Sequence, residues 1–249
     1  MNLHVILTPA ELPALAGRDL RGTTCVVFDI LRATSTFVTA LHHGATAIVP
    51  VSEIAEAVAR RQKQPDVLLA GERNGVKISA AQTGDMDFDL GNSPREYTPE
   101  KIRGKTIVST TTNGTRALRA CAQARTVLAA SFLNLMATAD FLRGQQEIIL
   151  VCSGTGAGTA LEDVLAAGAL AEILITDRPP RPALSDAAEV ARQTFARMNT
   201  DLAAAIGGSQ NGRRLQAIPE LCADVAFCAQ RDVFNLVAAM DASGCLQKI

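Results

Sequence analysis

Tryptophan is absent from this 249-residue chain, tyrosine occurs once, and aromatic residues make up 4%. Base-stacking platforms and carbohydrate clefts are built from aromatic rings, so neither is the expected basis of function. Charge of one sign is equally scarce. Lys and Arg number 24 against 25 Asp and Glu, a formal net charge of -1. No global field draws such a chain to nucleic acid or to a membrane surface, so anion specificity has to be local. No apolar run approaches the roughly 18–20 residues that span a bilayer. The opening MNLHVILTPAEL lacks the basic segment and the apolar length of a signal sequence. Three histidines and no Cys-x-x-Cys pair argue against structural zinc. The cysteines (Cys25, Cys121, Cys152, Cys222, Cys228 and Cys245) fall mostly inside apolar runs. That usage suits reduced core thiols in a cytoplasmic protein.

What is present is alternation. HVILT, TCVVFDI, TAIVPV, DVLLAGE, KTIVST, TVLAAS and EIILVCS are short apolar runs rich in β-branched residues. Between most of them lie stretches with helical periodicity: ATSTFVTALHHG, SEIAEAVARRQ, GTRALRACAQA and NLMATADFLRG. Continuous apolar strands alternating with helices predict an α/β fold, a three-layer α/β/α sandwich around a mainly parallel sheet. A weak internal repeat is compatible with an array of βαβ units. The stretches from Val26 and from Ile107 each run strand, polar loop, helix, strand, Ser, helix, and a third copy begins at Ile148. The prolines of TDRPPRPALSD interrupt the pattern, with Ser185 as N-cap of a long helix to follow. The remainder reads as short helices and one last strand. No linker separates two units, so one domain over 1–249 is expected.

Three strand-to-helix loops share a composition: FDILRATST (28–36), STTTNGTR (109–116) and CSGTGAGT (152–159). In a parallel sheet such loops open on one edge, where ligands bind. Hydroxyls, small residues and helix N-termini there offer N–H donors to phosphate or another oxyanion. CSGTGAGT fails three named motifs. It has no Lys for a Walker A loop, its third Gly falls one place early for a dinucleotide fingerprint, and Gly158 stands where a cysteine phosphatase loop needs Arg. Cys152 is accordingly expected as a buried strand-end thiol.

Acids punctuate the same edge. Asp29 follows the apolar CVVF, Glu72 ends DVLLAGE, Asp89 lies in DFDLGNSP, and Glu162 and Asp163 open the third-copy helix. Arg32, Arg73, Lys77, Arg95 and Arg116 interleave with them. Hard oxygen ligands without His or Cys sites point to Mg²⁺. Guanidinium groups beside oxyanion loops suit a small, multiply charged phosphoester.

The ordered set VVFDILRATST, GERNG, DLGNSP, STTTNGTRA, CSGT with LEDVLAAGAL, and AFCAQRDVFNLV resembles the 2-phosphosulfolactate phosphatase family, over about residues 23 to 240. The resemblance implies a Mg²⁺-dependent phosphoric monoester hydrolase in the route to coenzyme M, cleaving 2-phospho-3-sulfolactate to sulfolactate and phosphate. Set against that chemistry, Asp29, Glu72 and Asp163 are the expected Mg²⁺ ligands, with Asp29 and Asp163 catalytic. Asp29 fits either a ligand or a phosphoryl acceptor. Arg32, Arg73, Asn92, Thr111, Thr112, Asn113, Gly114, Thr115, Arg116, Ser153 and Gly154 are the expected contacts to phosphate and substrate. Two rival readings fit part of the set. VVFD matches a haloacid-dehalogenase nucleophile strand, but Leu31 stands where that site needs a second Asp. A non-catalytic binder of phosphorylated or sulfonated acids would use the same loops without turnover. The Ala-rich terminal helices are compatible with a homodimer.

Overall fold

The continuous apolar runs become strands buried on both faces. A computed structural model describes residues 1–249 other than 16, 85 and 177–181. The strands are β1 (Asn2–Ile6), β2 (Thr23–Phe28), β3 (Ala47–Pro50), β4 (Leu68–Arg73), β5 (Val76–Lys77), β6 (Thr106–Thr110), β7 (Thr126–Ala130), β8 (Glu147–Cys152), β9 (Ala183–Leu184), β10 (Ala238–Met240) and β11 (Leu246–Lys248). They form a sheet of order β5-β4-β6-β3-β11-β10-β7-β2-β8-β1-β9, eleven strands among the described residues. Pairing is parallel except at β5 and at the β10–β11 hairpin.

Alternation within each strand decides which helix covers it. Val26, Phe28, Leu128, Ala130, Ile148 and Leu150 face a core shared with helices Leu135–Leu142, Leu161–Thr176 and Asp186–Met198. Cys25, Val27, Val127, Ala129, Ile149 and Val151 face the other way, onto helices Ala33–His42 and Gly114–Ala120. Helix Ile54–Lys63 closes a third cluster over β3, β4 and β6. The result is the expected α/β/α layering.

The repeat takes an interleaved form. The first copy supplies β2 and β3, the second β6 and β7, yet β2 pairs with β7 and β3 with β6. The β10–β11 hairpin bridges the two halves, through Leu246 to Ile48 on one side and through Ala238 and Ala239 to β7 on the other. One last strand was expected; two form.

The long helix expected after Ser185 is also divided. Ser185 does cap it, its hydroxyl accepting the Ala188 N–H at 3.2 Å. The helix runs only over Asp186–Met198, and a second begins at Leu202. Between them Asp201 turns its carboxylate to the Ala204 N–H at 2.9 Å, a local bond that favours a cap over helix continuation. The proline-rich interruption before Ser185 lies largely outside the described residues. Among the described residues no helix is long and apolar enough to cross a membrane.

Gly168 sets how closely Leu161–Thr176 packs on Asp186–Met198. A Cβ there would lie 2.1 Å from the Ala191 carbonyl oxygen. Gly168→Ala is expected to cost about 1–3 kcal/mol through overpacking, read as a lower urea midpoint at unchanged slope.

Candidate active site

A polar cavity of about 270 Å³ opens at the C-terminal ends of the parallel strands. Its wall includes Asp29, Leu31 and Arg32 from the first loop, Thr112 and Asn113 from the second, and Thr155 and Gly156 from the third. Glu72, Asn74 and Gly75 from the β4–β5 hairpin, Asn92, and Asn211, Arg214 and Leu215 complete it. The three loops that share a composition thus meet at one place.

Asp29 stands where two helices begin. Its Oδ1 accepts the Ala33 N–H at 3.2 Å, and the Gly114 N–H also lies against its carboxyl. A Cβ at Gly114 would come within 2.7 Å of both Asp29 Oδ2 and the Ala33 methyl, so this close approach requires glycine. Burial pushes the Asp29 carboxyl up to about 7. The Ala33 N–H opposes that shift, the charges of Glu72 and Glu162 add to it, and the Gly114 N–H opposes it more weakly.

Glu72 brackets the hairpin to the second loop. Its Oε1 accepts the Thr112 N–H at 3.0 Å and the Thr112 hydroxyl at 2.9 Å, while Oε2 accepts the Gly75 N–H at 2.7 Å. Arg32 is sealed at 3% exposure, donating to Asp224 Oδ2 at 2.8 Å and to the Gly75 carbonyl at 2.7 Å. Asp224, fully buried, also accepts the Ser93 hydroxyl at 2.7 Å, and Arg95 approaches it at 3.5 Å. Asn211 donates at 2.6 Å to both Thr155 Oγ1 and Glu162 Oε1, fixing the opposite wall.

Of the expected site residues, Asp29, Arg32, Glu72, Asn92, Thr112 and Asn113 line the cavity, and Gly114 backs Asp29. The others lie elsewhere. Asp163 is off the cavity wall, with Oδ1 accepting the Ile30 N–H at 2.8 Å and Oδ2 the Gly154 N–H at 3.0 Å. It clamps the first loop to the third, and burial holds its carboxyl well above the usual range, with Glu162 and Asp29 adding to the effect. Off the cavity wall and held by these two loop amides, Asp163 is placed as a brace between the loops. Arg73 donates to the Glu72 carbonyl at 2.8 Å and the Thr110 hydroxyl at 3.0 Å, and Arg116 is exposed away from the cavity. Thr111 and Thr115 bond each other within their own turn. Ser153 and Gly154 back the third loop without reaching the wall. Asp89 accepts the Leu69 N–H at 2.7 Å and pairs with Arg61. The Cys152 thiol is buried and shifted well upward by that burial, an inert strand-end group as expected.

A model of the 2-phosphosulpholactate phosphatase family matches residues 7–243. The chain belongs to the 2-phosphosulfolactate phosphatase family. Its relatives include a probable 2-phosphosulfolactate phosphatase of Thermotoga petrophila, 42% identical over 217 residues that make up 87% of this chain and 88% of that protein. Proteins with the same designation from Caldanaerobacter subterraneus and Clostridium acetobutylicum are 39% and 34% identical, covering 88% and 95% of this chain and 88% and 96% of their own. The family consists of phosphoric monoester hydrolases, in keeping with the resemblance noted in the motifs.

In this phosphatase family member the cavity wall also includes Asn74, Gly75, Asn211 and Arg214, with Asp224 behind Arg32, none of them among the expected site residues. Only the turn-forming Asn74-Gly75 carried a local signal. Asn74 and Gly75 both take positive φ, 56° and 81°, as a tight hairpin tip requires. Asp224 and Arg214 sit in short helices whose sequences do not distinguish them from surface.

No three His, Cys, Asp or Glu side chains gather into a metal-binding group among the described residues. The wall still fits a hard divalent cation. Mg²⁺ is commonly held by one or two carboxylates, with water and substrate phosphate filling the other positions. Asp29 and Glu72 provide two carboxylates, and Asn92 adds an unpartnered Oδ1 on a side chain 5% exposed.

Two outcomes follow from these contacts. Asp224→Ala leaves the Arg32 guanidinium buried without its counterion and is expected to cost about 3–5 kcal/mol in denaturant titration. The double change Arg32→Met with Asp224→Leu recovers much of that loss, since no lone charge remains. The second concerns pH. Between the ordinary carboxylate range and about 7, native Asp29 keeps a proton that the unfolded chain releases. The native state then binds more protons, so its stability falls as pH rises through that window. Urea midpoints measured in chelator should show this decline, and Asp29→Asn should flatten it.

Proposed function

We propose that this protein is a Mg²⁺-dependent phosphatase that hydrolyses 2-phospho-3-sulfolactate, or a closely related 2-phospho hydroxy acid, to the hydroxy acid and inorganic phosphate. The observation that carries the reading is Asp29, a buried carboxylate at the junction of two helix starts on the floor of a small polar cavity. Family membership supports the reaction class. Phosphoryl transfer needs charge neutralised on the equatorial oxygens and a nucleophile held in line. The Asn113 side chain, on the cavity wall at the start of the second helix, supplies a donor for the phosphoryl oxygens.

Asp29 and Glu72 are the residues suited to hold Mg²⁺, which when bound would neutralise phosphoryl oxygens and acidify a water. Glu72, already tied to Thr112 and Gly75, keeps the second loop and the hairpin in register with Asp29. Arg32 presents a charge whose position is set by Asp224, not by the substrate. The volume of the cavity suits a ligand smaller than a typical drug.

Phosphate release from 2-phospho-3-sulfolactate, 2-phospholactate and phosphoglycolate, with Mg²⁺ or with chelator, tests the reading. Release that depends on the cation and is fastest for the sulfonated ester is expected. Asp29→Asn should lower it by roughly 100-fold or more without unfolding the chain. A folded Asp29→Asn protein of undiminished activity would sink the assignment, and no release from any ester would sink the phosphatase itself.

A further inference from the structure

Two cations line the cavity, and the structure treats them differently. Arg32 is buried and its guanidinium is matched by the Asp224 carboxylate and the Gly75 carbonyl. Arg214 is exposed and lines the same wall, yet makes no hydrogen bond or ion pair with any described residue. Its neighbour Arg213 instead donates to the Gly208 carbonyl of its own chain turn. Arg214 is therefore the lining cation with an unmatched charge among the described residues.

The base that carries it is firmly set. Arg214 and Asn211 are three residues apart on helix Gln210–Gln216 and share a face. Asn211 is held by Thr155 and Glu162, and Leu215 contributes the apolar part of the wall. Gly212 packs so closely on the preceding turn that a Cβ would meet the Ile206 carbonyl at 2.1 Å. A long basic side chain thus reaches the cavity from a fixed helix.

Resting on the phosphatase reading above, we propose that Arg214 determines substrate specificity by pairing with the sulfonate at C3 of the phosphorylated acid. The phosphoryl group falls to the Asp29 side of the cavity, and the carboxylate shares C2 with the phosphate ester. The sulfonate is one carbon further out. It is a strong acid whose charge neutral amides and hydroxyls cannot balance. A planar guanidinium offers it two parallel N–H donors. Asn74, Asn113 and Thr155 can orient such a group but cannot match its charge.

The test compares kcat and KM for 2-phospho-3-sulfolactate and 2-phospholactate, which lacks only the sulfonate, in the wild type, Arg214→Gln, Arg214→Lys and Arg213→Gln. Arg214→Gln should lower the ratio of kcat/KM between the two esters by roughly 10- to 100-fold, mainly through KM, the worth of hydrogen bonds to a charged group. Arg214→Lys, which keeps charge but not the fork, should restore part of the ratio. Arg213→Gln removes the same charge next door and should leave the ratio where it was. Equal losses on both esters, or an equal change in Arg213→Gln, would overturn the proposal. Calorimetric binding of sulfolactate and lactate supplies a readout that does not need turnover. If the wild type releases no phosphate but binds sulfolactate more tightly through Arg214, the reaction is misassigned and the sulfonate contact stands. If the wild type binds sulfolactate no better than lactate, the contact is overturned whatever the reaction.

Discussion

The ion pair between Arg32 and Asp224 joins residues 192 positions apart in a place sealed from water. Such a pair is a poor source of net stability, because desolvating both charges offsets most of their attraction. Its consequence here is positional. Asp224 also receives Ser93, and Arg32 also reaches Gly75, so the pair draws the Cys222–Cys228 helix, the turn after Asn92 and the hairpin tip around one cavity. Each partner without the other would be a lone buried charge, so these three elements are held in place together.

A similar economy governs the acids. Asp29, Asp163 and Glu72 all lie at strand ends or in a first helical turn, yet they perform different tasks. Asp163 has both oxygens closed by backbone N–H groups and joins two loops. Glu72 is closed by Thr112 and Gly75 and joins the second loop to the hairpin. Asp29 has only helix-start donors and faces the cavity, and burial beside like charges raises its proton affinity. A carboxylate in that state gains most from a cation or from the donors of a substrate, and that gain is the physical basis of the proposed reaction.

Much of the fold was legible because parallel strands buried on both faces need unbroken apolar runs, and those runs are visible at β2, β7 and β8. The three loops were legible as a group because strand-to-helix turns of a parallel sheet must share an edge. What composition could not separate was Arg32 from Arg73 and Arg116, since a basic residue beside a hydroxyl loop looks the same whether it turns inward or outward. Nor could it separate Glu162 from Asp163. Adjacent residues in a first helical turn point in different directions, and only packing shows that Asp163 meets the loop amides while Glu162 meets Asn211. The interleaved pairing of the two repeats was hidden for the same kind of reason: periodicity describes a strand, not its neighbour.

By itself the sequence determined the layered α/β architecture, the edge on which the cavity opens, the hard-oxygen and hydroxyl character of that edge, and, through its ordered motifs, the family. These are properties of local periodicity and residue type. Only the tertiary structure decided that helix Gln210–Gln216 lines the cavity, that the Cys222–Cys228 helix anchors Arg32, that Asp163 braces two loops, and that Arg214 reaches the cavity unmatched. Those outcomes depend on contacts between segments far apart in the chain, where burial and the need to pair every buried charge select one arrangement among many.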